Sequence, residues 1–477
     1  MNTVWRTLVS ASVIAAIGAG CGGGSGGGDA PGVTSPQTGA GTTLQKQKLL
    51  TIKSGEFKDQ QLLSNSQGDL LLVWDDRKTG GAINSMFYHP SIGWSGVKAI
   101  APTTTLGEIN SVALDSQGYA VLVMGKTDAI GFKAPDRSFV YLSNTTDWQP
   151  ALGETTLFGS ALLASTTLVA DHSVNGIAYF VGLSPDQPTP TAVRLVRVYR
   201  LLNTGTWEKL EPAPITSPGE ATFACSTFCA DEIVASADAN GRLHVSYDVN
   251  SHGKRSAYWD AGSGWHGAFV LDGDHTSSLA HETFLNINEN GKGVAIWQSV
   301  PKLGNQIHRK AAWFNGVSWS ATESFPDGMS KIDLVNLDTD GATEVFGKDG
   351  TANPQPASMR RTALSVPWSA PELFPIDVRF NPVKFLELPG GGWIIPVKQY
   401  YKVEPGQASN PLFPNRVRID EIRYGATGWS SIRTLADQDK LNDLIFAVTS
   451  DKLIVVESTT PLGNDEGLVN TFSFAIP

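Results

Sequence analysis

A Trp recurs along this chain at positions 94, 148, 207, 265, 319, 368 and 429, with successive gaps of 54, 59, 58, 54, 49 and 61 residues. A second signal runs in phase with it: an Asn-, Asp- and Gly-rich turn followed by an apolar strand. It reads "SQGDLLLVW" (66–74), "SQGYAVLVM" (116–124), "VNGIAYFVG" (174–182) and "ANGRLHVSY" (239–247). It continues as "ENGKGVAIW" (289–297), "TDGATEVFG" (339–347), "GGGWIIPVK" (390–398) and "TSDKLIVVE" (449–457). A repeat of this length leaves room for one supersecondary unit, which hides its apolar face by stacking against the next.

Each unit parses into four short strands. The first has 57–65, a Ser-Gln-Gly turn, 69–75, a polar loop, 83–89, a turn, and 93–100. Runs rich in aromatic and β-branched residues between Gly/Asn/Asp turns are strands, and no long helical period intervenes. Hairpin turns need a residue with positive φ, which Gly adopts without steric cost. Four antiparallel strands per unit predict a β-propeller. The fold expected is all-β, a single propeller of eight four-stranded blades over 44–477, with seven as the alternative. The last unit supplies three strands, 442–448, 452–458 and 468–476, and 46–54 supplies the fourth, closing the ring with no open edge. The Trp is expected to start each outer strand and to pair with the aromatic that usually ends the strand before it (Tyr88, Tyr141, Tyr199, Tyr258, Tyr424, and Trp313 in the fifth unit), packing across the hairpin or against the neighbouring blade, with ligand stacking as the alternative.

The first 20 residues have one Arg and a short apolar run, the proportions of a signal peptide, and that run is too short to span a bilayer. The small-small-Cys ending at Cys21 resembles the bacterial lipobox, although Gly18 stands where that pattern usually has Leu. The resemblance implies lipidation of Cys21, a palmitate-bearing anchor and, with Gly22 following, sorting to the outer membrane. Ordinary signal cleavage near Ala19 or Gly20 is the alternative. Residues 21–43 are then the lipidated Cys and a Gly/Ser-rich tether, whose 22 residues after Cys21 reach roughly 25 Å as a flexible coil.

The net charge of −10, without a basic tract, argues against nucleic acid as a partner. Cys225 and Cys229 are expected to form a local disulfide in an oxidising envelope; free thiols or a metal site are the alternatives. No metalloprotease, P-loop or paired-His pattern is present, so no metal and no cofactor is expected. "NLDTDG" (336–341) matches the first half of a calcium loop, but Gly347 stands where the closing Glu belongs. The same place in other units holds "NINENG" and "SADANG", which favours a turn device.

The units resemble sialidase-type propeller repeats. "SADANGRLH" carries Ser236 and Asp238 of the Asp-box pattern, with Gly241 one residue late and no Trp following. That resemblance implies a glycoside hydrolase, yet its arginine triad and its Tyr/Glu and Asp catalytic groups have no counterparts assignable residue by residue. A second resemblance is to propeller lectins that bind sugars between blades with an Arg, an acidic group and an aromatic. The candidates it implies are Arg197 with Tyr199, Arg255 with Tyr258 or Trp259, Arg309 with Trp313, and Arg423 with Tyr424.

The expected protein is an envelope-anchored, monomeric binding module for a glycan or an envelope protein. It touches the membrane only through its N-terminal lipid. A sialidase-like hydrolase and a structural part of an envelope complex are the other readings. The loops between second and third strands and between units open on one face and are long and varied, as binding loops are. They place Asp75, Asp76, Arg77, Lys126, Arg137, Asp248, His252, Lys398 and Tyr400 as candidates on that face.

Overall fold

A computed structural model describes residues 47–475 apart from 53–56, 77–81, 102–107, 128–132, 143–146, 153–163, 174, 186–193, 214–232, 250–252, 274–281, 289, 300–307, 339–340, 352–355, 364, 375–380, 383–385, 388–392, 401–416, 426–427, 430–432, 439–442, 450–451 and 459–466. The described residues form eight antiparallel sheets and no helix. They divide into two compact units, one running from Lys58 to Leu373 and one comprising Phe374–Pro477 with the segment that ends at Phe57.

The first unit holds six sheets. Each runs up and down through four strands taken in chain order, as in Ile233–Ala237, Leu243–Val249, Gly253–Asp260 and Gly264–Asp272 of the fourth sheet. The first strand of every sheet lies beside the first strand of the next, from Lys58–Ser64 through Glu108–Leu114, Ala164–Ala170, Ile233–Ala237 and Thr283–Ile287 to Met329–Leu337. The sheets therefore fan outward from a shared line of first strands. Second strands such as Leu70–Asp75 and Leu243–Val249 are buried along their whole length. Most fourth strands are only two or three residues long, which leaves little unpaired backbone at the rim. The fourth strand of the first sheet, expected as one run over 93–100, is two pieces, Gly93–Trp94 and Lys98–Ala101, both paired to Ile83–His89.

In the second unit, the seventh sheet has a first strand in two pieces, Asn381–Pro382 and Leu386–Glu387. Asp443–Val448, Lys452–Ser458 and Gly467–Ala475 make the eighth sheet, and Gln47–Ile52 pairs antiparallel with Gly467–Ala475 as its fourth strand. That is the pairing expected from the sequence: the two ends of the chain complete one sheet.

The recurring Trp residues stand at or just before the fourth strands and do more than fill hairpins. Trp148 of the second sheet donates its Nε1–H to Ser85 Oγ of the first at 2.8 Å. Trp207 of the third does the same to Ser138 Oγ of the second at 2.8 Å. Both hydroxyls are fully buried, so each indole is clasped to the third strand of the preceding sheet. The ring contacts cross the same seams: Phe87 stacks on Tyr141 at 4.3 Å, and Trp313 meets Trp368 at 6.0 Å. Within hairpins, Tyr88 meets Trp94 at 5.4 Å and Tyr141 meets Trp148 at 5.8 Å, each worth about 0.5–1.5 kcal/mol beyond area.

A Trp207→Phe variant keeps the ring and removes this hydrogen bond from the buried Ser138 hydroxyl, at a cost of about 1–3 kcal/mol in urea denaturation. Adding Ser138→Ala recovers part of that loss; simple additivity of the two changes would show that the hydrogen bond contributes nothing.

Candidate functional site

The turn between first and second strands is built the same way in most units. Asn65, Asp115, Asp171, Asp238, Asn288 and Asp338 each bend a side-chain oxygen back onto backbone N–H groups further along their own turn. At Asp238, Oδ1 accepts from Asn240 N at 2.9 Å and Arg242 N at 3.0 Å. These are Asx turns. The oxygens that the sequence pattern offered for calcium near 336–341 include Asp338 Oδ1, which accepts from Ala342 N at 2.7 Å.

The turns also bind sheet to sheet. Asn65 Nδ2 donates to Asp115 O at 3.0 Å, and Asn288 Nδ2 to Asp338 O at 2.6 Å, each reaching the next sheet. Gly241 has a φ of +76°, and a Cβ there would stand 2.5 Å from Ser173 Cβ and 2.7 Å from Asp171 Oδ1 of the third sheet. Only a glycine permits that approach.

At the seam between third and fourth sheets an Arg, two carboxylates and two aromatics converge. Tyr179 lies opposite Arg200 in the strand register. Arg200 Nε is 2.8 Å from the buried Asp171 Oδ2, its Nη1 is 3.6 Å from Glu208 Oε1, and Nη2 donates to Ser173 Oγ at 2.8 Å. The guanidinium carbon lies 5.7 Å from the centre of the Tyr179 ring and 5.3 Å from that of Trp259 on the fourth sheet. Tyr179 O–H donates to Gly241 O at 2.7 Å. Burial holds the Tyr179 phenol well above its usual range, with Asp171 adding to the effect, so it stays a neutral donor. Burial likewise pushes the neighbouring His172 imidazole down, leaving it uncharged. Trp259 and Glu208 remain half-exposed, so one edge of the cluster meets solvent.

The motif repeats in part at later seams. Arg242 Nε sits 2.6 Å from Asp238 Oδ2, with its guanidinium 5.8 Å from the Tyr258 ring, and Tyr258 stacks on His244 at 5.4 Å and on His266 at 4.6 Å. Burial works to raise the Asp238 carboxyl, but the His244 ring and the Arg242 backbone and side chain outweigh it and hold it below the usual carboxylate range. Arg361 pairs with Glu323 and covers the Trp313 ring at 4.2 Å, again across two sheets. Arg309 bonds Glu282 at 3.2 Å and the Met329 and Ser330 carbonyls of the next sheet.

The residues singled out from the sequence are dispersed. Asp75 is buried at the end of its strand opposite Ile83. Asp76 Oδ2 accepts from Trp74 Nε1 at 2.7 Å and Asn84 Nδ2 at 2.8 Å. Asp248, in the fourth sheet, is buried against Lys254 at 3.1 Å, and Lys254 Nζ also donates to Thr283 Oγ1 at 2.6 Å across the next seam. Beside it, burial works to raise the Asp272 carboxyl, but Lys310 and Ser299 hold it below its ordinary value. Lys126 lies opposite Ala134, Arg137 opposite Met124, Lys398 opposite Asn381 and Tyr400 opposite Val417, all toward the second-to-third-strand end of their sheets. Arg77, His252, Cys21, Cys225 and Cys229 lie outside the described residues. Of the Arg–aromatic neighbours in sequence, Arg255 is buried, and the Trp259 ring is covered by Arg200. Among the described residues no cluster of three metal-binding side chains occurs, and no helix is long and apolar enough to cross a membrane.

No protein-family model matches the chain, and no curated protein matches it. Similar solved structures include a polysaccharide lyase PL25 ulvan lyase, with 10% identity over 91% of this chain and 96% of that one, at a TM-score of 0.43. They also include polysaccharide lyase Uly1, with 11% identity over 78% of this chain and 90% of that one, at 0.42. A third is a mutant Aleuria aurantia lectin in complex with alpha-methyl-L-fucoside, with 14% identity over 68% of this chain and 95% of that one, at 0.33. The similar structures thus include carbohydrate-binding and carbohydrate-active proteins.

Replacing Arg200 by Gln leaves Asp171 buried without its cation and is expected to cost about 3–5 kcal/mol in chemical denaturation. A loss under about 1 kcal/mol would mean that the pair is not desolvated.

Proposed function

We propose that this chain is a glycan-binding module, its eight sheets closed into a propeller by the sheet that joins its two ends and tethered to the cell envelope through Cys21. The observation that carries the reading is the Arg200–Asp171–Glu208–Trp259 cluster. A sugar ring presents C–H groups on its faces and hydroxyls around its edge. A half-exposed indole suits the face, and the half-exposed Glu208 carboxylate, facing Arg200, suits paired hydroxyls through charge-assisted hydrogen bonds. The reading rests on that site, since a fold alone hosts many activities. Asp76, Lys126 and Arg137, at or just beyond the ends of second and third strands in the first unit, are further binding candidates, as Lys398 and Tyr400 are separately in the second.

A glycan array probed with the chain is expected to retain a defined set of saccharides. Trp259→Ala should weaken that binding at least tenfold, about 1.4 kcal/mol, with the melting transition retained. Absence of any retained glycan, or unchanged binding by the folded Trp259→Ala variant, would overturn the reading. Release of free sugar from a retained glycan would move it to a hydrolase.

A further inference from the structure

Among the first-to-second-strand turns, Asp115 is the exception. At Asn65 and Asn288 the second side-chain atom is an amide that donates to the next sheet's turn. At Asp171 and Asp238 the second oxygen meets Arg200 or Arg242. Asp115 Oδ1 accepts from Gln117 N at 2.8 Å and Tyr119 N at 2.7 Å, like the others. Its Oδ2 is buried and has no hydrogen-bond partner. The residue is 1% exposed, so bulk solvent does not reach it.

We infer that Asp115 is a proton-operated latch between the second and third sheets, its protonated Oδ2 donating across the seam as Asn65 and Asn288 do and its ionised form releasing it. The charges around it agree. Asp171 faces it from the third sheet, with Arg200 already committed to Asp171 and Glu208. On the first sheet, Asp69 Oδ2 lies 3.6 Å from where a Cβ on Gly118 would stand. Asp69 itself faces His89 at 3.6 Å. His172, in the third-sheet turn, is kept neutral by burial. Among the described residues, an ionised Asp115 would thus face anions and no committed cation of its own. Burial, against the opposing pull of its turn N–H groups, pushes its carboxyl up to about 7. The ordinary value is 3.8, so the stability that Asp115 contributes is complete below about pH 4 and is lost as pH rises through about 7. The latch is closed in acid and opens at mildly alkaline pH, whatever the ligand of the neighbouring Arg200 cluster.

The test uses the whole chain. Asp115→Asn supplies a permanent donor. The ratio of its folding constant to that of wild type should rise at least about tenfold between pH 5 and pH 8. Asn288→Asp should transplant the same pH dependence to the seam between fifth and sixth sheets. In wild type, infrared spectra at pH 6 should show a buried carboxylic-acid carbonyl band that Asp115→Asn removes. Amide exchange at Gly118 and Tyr119, corrected for intrinsic rate, should accelerate from pH 6 to pH 8, a readout that stands even where a variant fails to fold. A pH-independent ratio, or an acid band and exchange profile unchanged over this range, would overturn the latch.

Discussion

Everything else in this chain depends on the seam between neighbouring sheets. A four-stranded sheet of this size has two faces and too little of its own surface to cover either. Each of the six sheets from Lys58 to Leu373 finds cover in a neighbour within that unit. Three devices recur along those seams: an Asx turn whose spare atom touches the following turn or whose glycine touches the preceding one, an indole N–H given to the preceding sheet, and an Arg held by a carboxylate over an aromatic. The apolar clusters follow the same lines, as where Val121, Val140, Phe180, Leu201 and Trp207 of the second and third sheets pack together.

Polar groups buried along a seam specify the docking of two sheets more than they stabilise it. Lys254 shows the principle, fully buried yet bonded to Asp248 in its own sheet and to Thr283 in the next. Such a pair tolerates no shift of register, because losing either partner leaves a desolvated charge. The cluster at Arg200 obeys the same rule but opens on one side, through Trp259 and Glu208. A seam designed to hold sheets together becomes a place where a ligand can stand when its outer edge stays uncovered. Asp115 is the complementary case, a seam position supplied with a carboxyl and no cation.

Much of the fold was legible because its signals are local. Asn/Asp-Gly turns and alternating strands declare themselves within ten residues, and the pairing of Gln47–Ile52 with Gly467–Ala475 followed from a last unit one strand short. The Trp period was visible, but its hydrogen bonds were not: Ser85 and Ser138 lie 63 and 69 residues from their indoles. The site was less legible still. Arg197 and Arg255 have aromatic neighbours in sequence, whereas register and docking set Arg200 over a Trp from another sheet. Asp248 reads as a loop residue beside Asn250 and Ser251, yet the strand runs on through Val249 and buries it opposite Lys254. The signal that could have found Arg200 is the pairing of seam carboxylates with third-strand cations, as at Lys310 and Arg361, which needs the sheets aligned first.

The central claim is that the sheets from Lys58 to Leu373 are stable through their neighbours and not singly. Native-state hydrogen exchange on their second strands measures it most directly, because amides that open only by global unfolding share one free energy. The account predicts a common protection for Leu71, Leu122, Phe180, Val245, Ile296 and Val345, all fully or almost fully buried. A ladder of distinct values, one per sheet and each unaffected by a seam substitution next door, would contradict it.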